Sequence, residues 1–180
     1  MKKKTLIMLL SLVLVFVFVS CSPEAIGKIA EGIGAVDNPD PQKDEACFDI
    51  DEDGVASLKA GVDLPQSLLI PQTVGGVAVT AVEECTGDFA SVVIPGNVKT
   101  ILDSAFYNCP NLTTVVIEDG VTTIEEDAFT GCPELTMVVI NSAGIKIKKG
   151  AFAVSDIIEF VYLGVSYSNI NTLRSYIDGV

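Results

Sequence analysis

Three consecutive stretches of the chain align on one another at a spacing of 23 residues. They are FASVVIPGNVKTILDSAFYNCPN (89–111), LTTVVIEDGVTTIEEDAFTGCPE (112–134) and LTMVVINSAGIKIKKGAFAVSDI (135–157), and a partial turn, IEFVYLG (158–164), follows. The matched columns are Phe89/Leu112/Leu135/Ile158, Val92/Val115/Val138/Val161 and Ile94/Ile117/Ile140/Leu163, then Ile101/Ile124/Ile147, Ala105/Ala128/Ala151 and Phe106/Phe129/Phe152. This repetition constrains the fold more than any other feature. A unit this short cannot bury its own apolar edge, so successive units must stack, each against its neighbours.

The unit reads as physics. L-x-x-V-x-I is a short strand whose alternate residues turn to the core. A turn follows at Pro95-Gly96 or Asp119-Gly120. An inward apolar pair such as Val98 and Ile101 starts the return side, and Ala-Phe then packs a short helical or irregular segment against the strand. Residues 70–82, IPQTVGGVAVTAV, fit the start of one more unit with a Gly-Gly hairpin inserted. That unit lacks the Ala-Phe segment, and Cys85 is expected to fill the space.

The pattern L-x-x-V-x-I-P-x-x-V-x-x-I-x-x-x-A-F-x-x-C-x-x-L resembles the treponemal-type, or BspA-like, leucine-rich repeat family, best over 89–157 and more loosely over 55–164. The resemblance implies a leucine-rich-repeat solenoid. Short parallel strands would line a concave face, with short helical or irregular segments on the convex face and an N-terminal β-hairpin cap. It also implies a bacterial surface protein, with relatives that attach to host matrix proteins or to other bacteria.

In the strand motif the third and fifth positions face away from the core. They read Ser91, Thr114, Met137, Phe160 and Val93, Val116, Val139, Tyr162. A partner-binding face would therefore present Val93, Thr114, Val116, Met137, Val139, Phe160 and Tyr162. The competing reading is strand propensity alone, since β-branched residues stack well across strands.

Asp49-Ile50-Asp51-Glu52-Asp53-Gly54 matches the opening of a calcium loop, but the position for the closing bidentate Glu holds Ala60. A hairpin turn between two strands fits better. The five cysteines, at 21, 47, 85, 109 and 132, contain no C-x-x-C pair. Cys109 and Cys132 share one column of adjacent units. Neighbouring strands lie ~4.8 Å apart, whereas a disulfide wants Cβ atoms ~3.8 Å apart, so a stack of buried thiols is favoured. Bonds Cys109–Cys132 and Cys47–Cys85 stay open as alternatives in an exported chain. Lys146, Lys148 and Lys149 form a basic cluster read as a solvated turn, one unit after Glu125-Glu126-Asp127.

The N-terminus describes export. Three lysines precede an apolar run from Leu6 to Val19, too short to span a bilayer. Phe18-Val19-Ser20-Cys21 resembles a bacterial lipobox, which implies cleavage before Cys21 and acylation of that cysteine. Loss of residues 1–20 would remove three lysines and no acid, moving the formal net charge from −13 to −16. So acidic a surface disfavours nucleic acid. The expected organisation is a lipoprotein signal peptide (1–20), a tether (21–45), an N-terminal cap with an atypical first repeat (46–88), repeats (89–164) and a C-terminal cap (165–180). In the cap, a helix begun by Ser168 or Asn169 would run through Ile177. The chain has no histidine, which excludes His-based catalysis and His-ligated metal. No nucleophile–base pair, metal cluster or phosphate loop is found, so no enzyme and no cofactor is expected. The function expected is a lipid-anchored module, held to the cell envelope at the outer membrane or cell surface, binding a protein partner on the strand face. The alternative is a structural or self-associating envelope lipoprotein with no external ligand.

Overall fold

A computed structural model of the chain describes residues 44–153 and 159–178. The apolar leader, Cys21 and the tether before Asp44 lie outside the described residues. Among the described residues no helix is long and apolar enough to cross a membrane.

The strands are β1 (Phe48–Ile50), β2 (Val55–Leu58), β3 (Ser67–Leu69), β4 (Thr73–Val74), β5 (Val77–Ala78), β6 (Ala81–Val82) and β7 (Ser91–Ile94). They continue as β8 (Thr100–Ile101), β9 (Thr114–Ile117), β10 (Thr123–Ile124), β11 (Met137–Ile140), β12 (Lys146–Ile147), β13 (Glu159–Tyr162) and β14 (Val165–Tyr167), and helix α1 (Ile170–Asp178) closes the series. One sheet has the order β1-β2-β6-β8-β10-β12 and the other β14-β13-β11-β9-β7-β3. The chain alternates between them coil by coil, and all pairs within each sheet are parallel except the end hairpins β1–β2 and β13–β14. This is a parallel-strand solenoid. The return side, expected only as an inward pair, is itself a sheet of two-residue strands.

The Ala-Phe side forms a third ladder. Ser104, Phe106 and Asn108 donate their amides to Glu126, Ala128 and Thr130 of the next coil, at 3.2, 2.7 and 2.8 Å. The wall therefore satisfies its backbone groups without helix. Two left-handed positions per coil let the chain make this corner. One holds Ser104 (φ 57°), Asp127 (φ 52°) and Gly150 (φ 89°), and the other Asn108 (φ 58°) and Gly131 (φ 75°). Asn, Asp and Gly are the residues that tolerate such φ values at least cost.

The core runs along the solenoid axis. In the central coils Val115, Ile117, Val121, Ile124, Ala128, Phe129 and Cys132 are all fully buried. Phe106, Phe129 and Phe152 stack with successive centroids 5.0 Å apart, and edge-on contacts to Phe89 and Phe160 end the column. Gly96 lies where the turns of adjacent coils meet. A Cβ there would collide with the Asp119 carbonyl, and one at Gly120 would come 2.5 Å from the Gly96 carbonyl.

The ends differ from the repeats. At the first, Asp44 is buried and its Oδ2 accepts the Leu69 amide of edge strand β3 at 2.9 Å. The Asp49–Asp53 run ends β1 and enters the β1–β2 turn, with Asp51 Oδ1 accepting from the amides of Asp53 (3.0 Å) and Val55 (2.8 Å). Asp49 pairs with Lys59 at 3.8 Å. This is turn chemistry, in which Asp closes a loop on its own backbone. The expected Gly-Gly hairpin is present as β4–β5, turning at Gly75 (φ 57°) and Gly76 (φ 85°). At the other end, Asn169 caps α1 by accepting the Thr172 amide at 2.9 Å, and Leu173 enters the core.

The candidate partner-binding face

The outward face of the β3–β14 sheet is built from two rows. Strand register places Leu69, Val93, Val116, Val139 and Val161 side by side, and beside them Ser67, Ser91, Thr114, Met137 and Glu159. Parallel pairing of equal-length coils without slippage produces such rows, since successive strands stand ~4.8 Å apart.

Of the seven residues singled out in the sequence, Val93, Thr114, Val116, Met137 and Val139 lie in these rows. Phe160 and Tyr162 do not. Phe160 pairs with Val138 and Tyr162 with Ile140, so both point into the core and are nearly fully buried. The physical cause is the length of the last coil. Val115 and Val138 are 23 residues apart, but Phe160 follows Val138 by 22. A one-residue change exchanges the two faces of a strand. Phe160 then meets Phe152 edge-on at 5.4 Å, and the Tyr162 hydroxyl accepts the Gly144 amide at 3.1 Å. The outward places go to Glu159 and Val161. The signal was in the sequence: the alternation Glu-Phe-Val-Tyr also reads with both aromatics inward.

The valine row is sunk rather than proud. Val93, Val139 and Val161 keep only 5, 3 and 6% of their exposure, yet they stand apart from the axial core. Val116, Met137 and Leu69 are half-buried. The polar row bonds along itself where Ser91 Oγ donates to Ser67 Oγ at 3.0 Å, and the Thr114 hydroxyl lies 3.4 Å from that of its chain neighbour Thr113. The rows form a shallow furrow with hydroxyls, a thioether and one carboxylate along its side.

The cysteine column has a defined task. Cys132 donates its thiol to the Phe106 carbonyl at 3.2 Å, and Cys109 donates to the Cys85 carbonyl at 3.7 Å. Cys85 occupies the Phe column: its amide bonds Ala105 as the Phe106 amide bonds Ala128. Each thiol thus ties its coil to the coil before it. Cys47, Cys85, Cys109 and Cys132 are all buried as thiols. Burial pushes the Cys85 thiol up to about 12. Contact with the Cys132 thiol, reinforced by burial, raises Cys109. The same contact lowers Cys132, but both thiols of the column are fully buried and bonded to the carbonyls of the preceding coil, which is a packing role.

Residues 64–176, well over half of the chain, match the family described as BspA type Leucine rich repeat region, six copies. The chain belongs to that family, whose repeat proteins serve protein-interaction or surface roles. Similar solved structures include a leucine-rich repeat protein from Bacteroides capillosus ATCC 29799, at 25% identity and TM-score 0.53, over 64% of this chain and 91% of that one. Another, from Bacteroides ovatus ATCC 8483, is 19% identical with TM-score 0.44 over 64% of this chain and 35% of that one. A leucine rich cell surface protein from Faecalibacterium prausnitzii A2-165 is 20% identical with TM-score 0.38, over 64% of this chain and 48% of that one. This chain therefore spans less than half the length of the latter two. No curated protein matches it significantly.

Proposed function

We propose that this chain is a lipid-anchored cell-envelope module that docks a protein partner on the outward face of the β3–β14 sheet. The observation that carries the reading is the unbroken aliphatic row Leu69-Val93-Val116-Val139-Val161, in register across five strands. Beside it, the second row changes from Ser and Thr to Met137 and Glu159, which supplies a direction along the furrow. Docking is non-covalent, and the partner is a host matrix protein or another cell-surface protein. Because the valines are already largely covered, little apolar area remains to be gained per contact. Affinity for one copy is accordingly modest, and many copies held on one membrane raise it through effective concentration.

The anchor rests on Phe18-Val19-Ser20-Cys21. More than one acyl chain at Cys21 holds a protein stably on a bilayer, at ~0.8 kcal/mol per buried methylene. Metabolic labelling with a fatty acid tests it: Cys21→Ser should carry no label, and label retained on that variant refutes the anchor. The face is tested by screening the mature protein against matrix and serum proteins. Val116→Glu and Met137→Glu should each abolish the strongest interaction, and unchanged binding by both variants refutes the face.

A further inference from the structure

The two sheets have four edges, and three of them are closed to a further strand. Edge β3 gives its Leu69 amide to the buried Asp44 carboxylate. Edge β12 is two residues long, contains Lys146 and is followed by Lys148 and Lys149. Edge β1 carries the exposed Asp49–Lys59 pair. Short strands and charges are the ordinary means of keeping an edge from pairing. Edge β14, also three residues long, has no charged residue of its own; the Glu159 carboxylate of β13 beside it is bonded to the Ser166 hydroxyl. Residues 163–170, LGVSYSNI, hold no charge on a chain of net −13. Among the described residues four large apolar side chains are exposed, and two of them, Leu163 (49%) and Val165 (55%), are here.

The backbone geometry of this edge is defined. Glu159 and Leu163 donate their amides to Thr136 and Ile140 in the preceding coil, so Phe160 and Tyr162 turn theirs toward β14. Leu163 (φ 48°) and Gly164 (φ 81°) make a two-residue turn, and the pairs are Tyr162↔Val165, Val161↔Ser166 and Phe160↔Tyr167. Bonded and non-bonded pairs alternate in an antiparallel ladder. Ser166 is the non-bonded position, so its N–H and C=O point outward. Its hydroxyl is engaged elsewhere, on Glu159 Oε1 at 2.6 Å.

We propose that β14 is a dimerisation edge, taking the β14 strand of a second copy of this chain in antiparallel register about Ser166. In that register the two Ser166 residues exchange both backbone hydrogen bonds. Val165 of each copy stands opposite Tyr167 of the other, an aromatic–β-branched pair of the favourable kind. The strand is its own complement, as a two-fold interface requires. Charge restricts where two copies can meet: two strongly acidic copies repel over most of their surfaces, and residues 163–170 carry no charge of their own, the Glu159 carboxylate being tied to the Ser166 hydroxyl. The closed β3 edge prevents growth beyond the pair, so the product is a dimer and not a fibre.

The test uses the full chain in detergent. Ser166→Cys should form a covalent dimer of twice the mass on mild oxidation with oxidised glutathione. Opposed residues of a bonded pair have Cα atoms ~5.5 Å apart, within the span of a disulfide. By sedimentation, the unmodified chain should be dimeric. Ser166→Pro, which removes the outward N–H together with the hydroxyl bonded to Glu159 and fixes φ, and Val165→Lys should both be monomeric with unchanged circular dichroism. A monomeric unmodified chain at the highest soluble concentration, or absence of the cross-link, overturns the proposal. So does a dimer that survives both variants but is dissolved by Val116→Glu, which would place self-association on the strand face.

Discussion

Phe106 and Phe129 stack with ring centroids 5.0 Å apart and planes within 1° of parallel. Phe129 has a second such neighbour in Phe152, at 5.0 Å and 4°, so it has a ring on both faces. Phe129→Ala should therefore cost about 3–5 kcal/mol in chemical denaturation. Phe152 is slightly exposed and its truncation should cost less. Equal losses at the two positions would count against the column.

The register of the last strand gives a sharper pair. Val161 faces out and Phe160 faces in. Val161→Thr should cost about 1–2 kcal/mol, the cost of a hydroxyl placed where little exposure remains. Phe160→Thr removes a ring from the core and should cost about 3 kcal/mol or more. The reverse order, read from urea midpoints, would restore the register expected from a strict 23-residue period.

Glu118 supplies a pH dependence. Burial raises its carboxyl above the ordinary 4.5, and the Gly96 amide pulls it only part of the way back. The folded state thus holds this proton more tightly than the unfolded one. The favourable contribution is complete below 4.5 and is lost as pH rises through the raised value. Glu118→Gln should therefore gain on the parent chain as pH rises above 4.5. A stability difference that stays flat between pH 4 and 7 would contradict the assignment.

Gly96 packs against the Asp119–Gly120 turn with no room for a Cβ. Gly96→Ala should cost about 1–3 kcal/mol, as overpacking does. Gly144 has φ +70° with open space around it, so Gly144→Ala should show only the smaller strain of a left-handed alanine. Thermal midpoints of the two variants should rank in that order.

The thiols give a kinetic check. Cys85, Cys109 and Cys132 are fully buried, so a maleimide should modify them only when the solenoid opens. Labelling in native buffer should run at the opening rate and accelerate with urea. Immediate native labelling of any of the three would contradict the packing.

Much of this architecture was legible in the sequence because it depends on period. Columns such as Val115, Ile117, Phe129 and Leu135 recur, and recurrence reveals the stack, the strands and the inward faces without knowledge of the turns. The Asp51 turn, the Gly75-Gly76 hairpin and the Asn169 cap were legible because their local chemistry is specific. What was not legible depends on contacts one coil away. Nothing in Ser104 signals a left-handed φ, which the inter-coil ladder imposes. Cys85 reads as a filler, yet its place in the Phe column appears only once its amide is seen on Ala105. Phe160 and Tyr162 were misplaced because the last coil is one residue short.

The threonine bonds carry a further consequence. Thr113 Oγ1 donates to the Ala90 carbonyl at 2.9 Å and Thr122 Oγ1 to that of Lys99 at 2.9 Å, in each case 23 residues back. Each coil thus addresses its predecessor and nothing more distant. A gene duplication that inserts one whole 23-residue unit between residues 111 and 112 would find every new bond already provided for. A duplication one residue shorter would turn the faces of every later strand inside out. The length of such a protein can therefore drift through its history in whole steps, while its two ends stay fixed.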